Sequence, residues 1–138
     1  MDVITTHLNA DFDAMASMVA ARKLYPDAAL VFPGSQERTL REFFLESTFY
    51  LLDRKRLKDL DLNRIDRLIL VDTRQASRIG KFKDILSRPG LEVHIYDHHP
   101  GAEDDVTGQL VVVEPVGATT TLLTRLIREE GLSISPEE

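Results

Sequence analysis

The sequence predicts an α/β fold: an open, mostly parallel sheet with helices on both faces, a Rossmann-like arrangement. Three observations carry this. Strand-like and helix-like stretches alternate along the 138 residues. Several strand-like stretches are continuously apolar, as strands covered on both faces of a parallel sheet are. Three of them run directly into His or Asp, at the strand ends where open parallel sheets bind ligands.

The elements follow in order. Val3 to Thr6 is a short β-branched strand. Asp13 to Leu24 is a helix, with Met15, Met18, Val19, Ala20 and Ala21 as its apolar residues and Pro26 ending it. Ala29 to Phe32 reads as a strand stopped by Pro33-Gly34. Arg38 to Leu52 reads as a helix with Leu40, Phe43, Phe44, Ser47 and Leu51 on one side. Leu57 to Asp66 mixes polar and apolar residues and suits a short strand or a turn. Leu68 to Val71 is an apolar strand running into Asp72, and Ile79 to Ser87 a short helix closed by Pro89-Gly90. Leu91 to Tyr96 is a strand ending in Asp97-His98-His99. Leu110 to Val113 is a further strand, Thr119 to Glu130 a helix, and Ser133 to Glu138 a polar tail. Ser135-Pro136-Glu137-Glu138 resembles a helix opening, so residues 1–138 are expected to be one domain of a longer polypeptide.

Composition narrows the classes. Hydrophobic residues make up 43% and charged residues 29%, which is globular. No stretch approaches the ~20 apolar residues of a membrane span, and the start does not read as a signal peptide. Cysteine is absent, which excludes disulfides and thiolate metal sites and fits a cytoplasmic protein. A net charge of −6 gives no basic footprint for duplex DNA.

The chemistry lies at the strand ends. His7, Asp11 and Asp13 follow the first strand, Asp72 another, and Asp97, His98 and His99 a third. In a parallel sheet these clusters converge in one crevice. Imidazole and carboxylate without sulfur suit Mn, Zn or non-haem Fe. Packed carboxylates repel one another unless cations intervene. Two divalent ions about 3.5–4 Å apart would neutralise them, clamp a phosphoryl group and lower the pKa of a water. That machinery suits hydrolysis of a phosphoester or phosphoanhydride.

Plainer roles stand beside these. Asp11 could cap the following helix, and Asp72 could sit in a turn. His94, inside a strand, reads as a packed or edge histidine. Gly117 and Thr119 open a helix whose amides and hydroxyls could hold a phosphate, or Thr119 could simply cap it. Arg74 and Arg78 could neutralise substrate phosphates or lie on a solvated face. No GxGxxG motif and no P-loop lysine occur.

His7-x3-Asp11-x-Asp13, Val71-Asp72 and Asp97-His98-His99 together resemble the signature of the DHH phosphoesterase superfamily. It includes single-strand exonucleases, oligoribonucleases, cyclic-dinucleotide phosphodiesterases and manganese-dependent inorganic pyrophosphatases. The resemblance implies two Mn²⁺ ions. His7 and Asp11 would hold one, Asp13 and His98 the other, and Asp72 would bridge them. His99 would contact substrate phosphate or assist the leaving group, and Asp97 would orient a histidine. Family members also carry a further aspartate ligand downstream and a C-terminal substrate domain. This chain ends 39 residues after His99 without a match to that aspartate, so an incomplete site is expected in this span.

ITTHLNADFDAMASMVAARKLYPDA and VFPGSQERTLREFF resemble the DHH region of long bacterial proteins. Those proteins continue into a CBS-domain pair and a nucleotidyltransferase of the tRNA or poly(A) polymerase type. The implied partners are an RNA 3′ end, an oligonucleotide or a phosphorylated small molecule. The alternative is a non-catalytic nucleotide- or RNA-binding module serving attached domains.

Overall fold

The structure, a computed structural model, describes residues 1–46 and 55–131, with side chains omitted from residue 43 to residue 46. Its strands are β1 (Asp2–Thr5), β2 (Ala29–Leu30), β3 (Arg67–Val71), β4 (Glu92–Asp97) and β5 (Leu110–Val113). Its α-helices are α1 (Phe12–Leu24), α2 (Arg38–Glu46) and α3 (Thr119–Glu129). The strands form one sheet in the order β2-β1-β3-β4-β5, every pair parallel. One row of the register runs Leu30, Ile4, Ile69, His94, Leu110. The alignment brings all the carboxyl ends to one edge of the sheet. After β1 the chain moves outward to β2, then returns to place β3 on the other side of β1. The crevice above β1 and β3 is thus the topological switch point, where such sheets bind ligands.

The alternating directions of strand side chains divide the core in two. On one face Ile4, Ile69, Val71 and Tyr96 pack against Ala14, Met15 and Met18 of α1 and Leu122 and Leu123 of α3. On the other, Val3, Leu68, Leu70, Val93 and Ile95 pack against Ile65, Ile79, Phe82 and Ile85. Each fully buried Leu, Ile or Phe contributes about 1.5–3 kcal/mol over its exposed form. The central strand β3 is buried on both faces, which accounts for its unbroken apolar sequence. His94 is built into the first face: its Nδ1 lies 2.6 Å from the Tyr25 hydroxyl, which also meets the Tyr96 hydroxyl at 2.6 Å.

Several boundaries differ from the sequence expectation. The second face is covered by 3₁₀ turns rather than α-helices. Ile79 to Ser87 contains a 3₁₀ helix, Gly80–Ile85, and Leu57 to Asp66 holds two 3₁₀ turns, Leu57–Asp59 and Leu62–Arg64, with no strand. Gly80 explains part of this. It enters its turn at φ +58°, and an added Cβ there would lie 2.9 Å from the Pro33 carbonyl oxygen. β2 is assigned only to Ala29 and Leu30, although Val31 still donates to the Ile4 carbonyl at 3.0 Å. α2 is described to Glu46; the rest of the helix expected to reach Leu52 lies outside the described residues, as does the tail from Ser133. No helix among the described residues is long and apolar enough to cross a membrane.

Candidate metal centre

Three strand ends and two helix starts surround the crevice. The loop after β1 carries His7 and Asp11. Asp11 is the N-cap of α1, its Oδ1 accepting from the Ala14 amide at 3.0 Å. Capping therefore explains one oxygen of Asp11, not the whole residue. A ligand atom from each of His7, Asp11 and Asp72 lies within 4.8 Å of the others, and the same holds for Asp72, His98 and His99.

Asp72 joins the two groups. It is 3% exposed. Its Oδ2 lies 3.3 Å from His7 Nε2 and its Oδ1 lies 3.1 Å from His98 Nε2. Its backbone is left-handed at φ 61°, which for a non-glycine residue costs roughly 1–2 kcal/mol. The Asp72 amide donates to the Tyr96 carbonyl at 3.0 Å, and the Thr6 hydroxyl donates to the preceding Val71 carbonyl at 2.8 Å. These bonds hold the unfavourable conformation in place.

Each histidine is oriented through its other nitrogen. His7 Nδ1 lies 2.8 Å from the Leu8 carbonyl and His98 Nδ1 lies 3.0 Å from the Val116 carbonyl. Carbonyls only accept, so both Nδ1 atoms carry protons. A neutral ring so bonded aims a lone pair from Nε2 at the Asp72 carboxylate. Two lone pairs facing one carboxylate are unfavourable without positive charge between them. His99 Nδ1 bonds Asp97 Oδ1 at 2.6 Å, with Asp97 buried, and its ring packs against that of His98 at 4.1 Å between centroids.

α3 supplies hydroxyls that the sequence did not point to as carboxylate partners. Thr119 does not occupy the cap position, which falls to Ala118. Its hydroxyl donates to Asp72 Oδ1 at 3.1 Å instead. The Thr120 hydroxyl donates to Asp13 Oδ1 at 2.6 Å, leaving Asp13 Oδ2 4.0 Å from His98 Nε2. The run Thr119-Thr120-Thr121 at a helix start was the available signal for Thr120. Gly117 is exposed with open space around it, and Arg74 Nε is bonded to Asp105 Oδ2 at 2.9 Å.

Residues 3–138 match the family described as DHH family, N-terminal domain. The chain belongs to the DHH family. Over its whole length it is 52% identical to the A-adding tRNA nucleotidyltransferase of Geobacter sulfurreducens, of which it covers 16%. It is 31% identical, over 95% of its length, to a "probable manganese-dependent inorganic pyrophosphatase" of Bacillus cytotoxicus, covering 42% of that protein. The chain thus spans well under half of these relatives. Among solved structures it is similar to an exopolyphosphatase-related protein of Bacteroides fragilis, with a TM-score of 0.73 and 22% identity, covering 94% of this chain and 39% of that one. This last likeness is one of fold.

The electrostatics of this DHH domain fit divalent cations. Burial pushes the Asp13 carboxyl above its ordinary range, and the nearby Asp72 charge adds to the rise while Thr120 opposes it. Burial would also raise Asp72, but hydrogen bonds with His7, Asp13 and Thr119 and the charge of His7 overcome it and hold the carboxyl below its ordinary range. Burial would lower His7, yet its bonds to Asp72 and to the Leu8 carbonyl outweigh this and hold its proton more tightly than usual. The domain thus gathers buried carboxylates and imidazole nitrogens in one place, where a proton on His7 relieves part of the negative charge. The oxygen and imidazole donor set suits Mn²⁺ or a similar ion.

Proposed function

We propose that this domain is the metal-holding half of a Mn²⁺-dependent phosphoesterase. The carrying observation is the buried Asp72 carboxylate set between His7 Nε2 at 3.3 Å and His98 Nε2 at 3.1 Å. His7 and Asp11 would hold one ion, Asp13 and His98 a second, with Asp72 shared. Bound divalent ions would supply an activated water and neutralise phosphoryl oxygens. The chain's own residues do the rest. The Leu8 and Val116 carbonyls fix the ring orientations of His7 and His98, and Thr119 and Thr120 hold the two carboxylates in position. His99, oriented by the Asp97 carboxylate through Nδ1, would contact a substrate phosphate or assist the leaving group.

Similarity to A-adding tRNA nucleotidyltransferases supports RNA 3′ ends or short oligonucleotides as substrates of a protein carrying further domains; a cytoplasmic location belongs to the same proposal. Those domains would be a C-terminal substrate domain, a CBS pair and a nucleotidyltransferase. The test is a calorimetric Mn²⁺ titration of the intact protein, with hydrolysis of short RNA measured alongside. Asp72→Ala is expected to abolish both. Full Mn²⁺ binding and full hydrolysis in the variant would defeat the reading. Nucleotide binding without turnover in the wild type would favour a regulatory binding module instead.

A further inference from the structure

Arg74 and Arg78 look interchangeable in the sequence, but the structure separates them. Arg74 is mostly buried and bonded to Asp105, whose Oδ2 also accepts from the Ala102 amide at 2.9 Å. The Arg74 carbonyl accepts from the Val106 amide at 2.6 Å. Arg74 therefore fastens the loop after β4 to the loop after β3. Arg78 is exposed and forms no ion pair among the described residues. Its backbone is nevertheless anchored at the centre, its carbonyl accepting at 2.7 Å from the amide of Leu8, the residue after His7. Its charge is close enough to His7 to oppose protonation of that ring.

Both arginines, with Thr73, Gln75, Asp97, His99 and Asp105, line a pocket of about 220 Å³. Its two carboxylates are already engaged, Asp105 by Arg74 and Asp97 by His99, which leaves Arg78 as the lining charge without an ion pair among the described residues. It adjoins the metal-ligand cluster through His99. Pockets for drug-sized molecules run roughly 300–1,000 Å³. This one falls below that range and suits a compact anion. A guanidinium with no acidic partner suits a phosphate, which it can grip with two parallel hydrogen bonds.

We propose that this pocket holds a second phosphate of the substrate, next to the one at the metal centre, and that Arg78 binds it. The proposal rests on the phosphoesterase reading and assigns one residue, Arg78, to the second of two linked phosphates. Such a pair could come from a phosphoanhydride or from neighbouring nucleotides of a chain.

The test uses the intact, Mn²⁺-loaded protein with three substrates: pyrophosphate, the 5′-phosphorylated dinucleotide pApA, and bis(p-nitrophenyl) phosphate, which carries one phosphate. Arg78→Ala is expected to raise KM for the preferred two-phosphate substrate about tenfold or more, the size expected for a lost charge-assisted contact. The loss on bis(p-nitrophenyl) phosphate should be at least several-fold smaller. Arg78→Lys should recover part of the difference. Preference for pyrophosphate marks an anhydride substrate, and preference for pApA a nucleotide chain. Calorimetric binding of both ligands to protein saturated with Mn²⁺ gives a second readout, weakened in Arg78→Ala although that variant still takes up Mn²⁺. Equal loss on all three substrates, or no loss, overturns the proposal. A wild type that binds pyrophosphate or pApA through Arg78 without turnover defeats the phosphoesterase reading and leaves the pocket standing. A wild type that binds neither overturns the pocket.

Discussion

Asp72 holds a single residue's worth of contradictions. It is buried yet ionised, its backbone is left-handed without glycine, and its two oxygens face two imidazole nitrogens. Residues held in sparsely populated conformations persist when their surroundings over-determine them, and they cluster at working sites. His7 shares the load, and its tightly held proton has a measurable consequence. Only the neutral ring can ligate a cation. Because the His7 value is raised above 6.5, protons compete with the metal at higher pH than for an ordinary histidine. Mn²⁺ affinity is therefore expected to fall as pH drops through that raised value, by up to about tenfold per unit for this one proton. Calorimetric titrations from pH 8.5 downward check this. An affinity that stays flat until well below 6.5 would contradict it. The identity of these residues was legible because His and Asp after apolar strands are conspicuous. The φ angle of Asp72 was not, since Asp is tolerated in both extended and left-handed backbone.

At the scale of elements, the start of α1 gives Asp11 a geometry compatible with both roles that the sequence presented as alternatives. Asp11 caps the helix with one oxygen and belongs with His7 and Asp72 through its ligand reach. Substitutions separate the roles. Asn caps nearly as well as Asp, whereas Ala costs about 0.5–2 kcal/mol. Without metal, Asp11→Asn should melt close to the wild type and Asp11→Ala should melt lower. Both should weaken Mn²⁺ binding in titration. Full Mn²⁺ affinity in Asp11→Asn would make Asp11 a cap alone. The short second-face elements were less legible. A stretch of six to nine residues shows too little periodicity to distinguish an α-helix from 3₁₀ turns, and the positive φ of Gly80, where a Cβ would crowd the Pro33 carbonyl, depends on packing against a distant loop. Nor could the sequence pair Thr120 with Asp13, because the two lie 107 residues apart.

For the whole molecule, the unequal burial of the strands sets where stability resides. β3 lies at the centre with Ile69 inaccessible, while β5 forms an edge with Leu110, Val111 and Val113 exposed. Ile69→Ala is expected to cost roughly 2–5 kcal/mol. Leu110→Ala is expected to stay near the ±0.5 kcal/mol typical of surface changes. Urea denaturation measures both, and similar losses would contradict this distribution. The continuous apolar runs and the alternation of elements made the parallel sheet readable from sequence. The division of its two faces between α-helices and 3₁₀ turns emerges only when distant segments pack together.

The centre draws on residues far apart along the chain. His7 and Asp72 are separated by 65 positions, and Asp13 and Thr120 by 107. During synthesis the amino-terminal His7, Asp11 and Asp13 emerge from the ribosome well before the carboxylate that unites them exists. A nascent chain stalled before His98 contains the His7, Asp11 and Asp72 group but not the second group, which needs His98 and His99. The Thr119 and Thr120 hydroxyls that brace Asp72 and Asp13 arrive only with α3, so the braced arrangement is assembled after the sheet is complete.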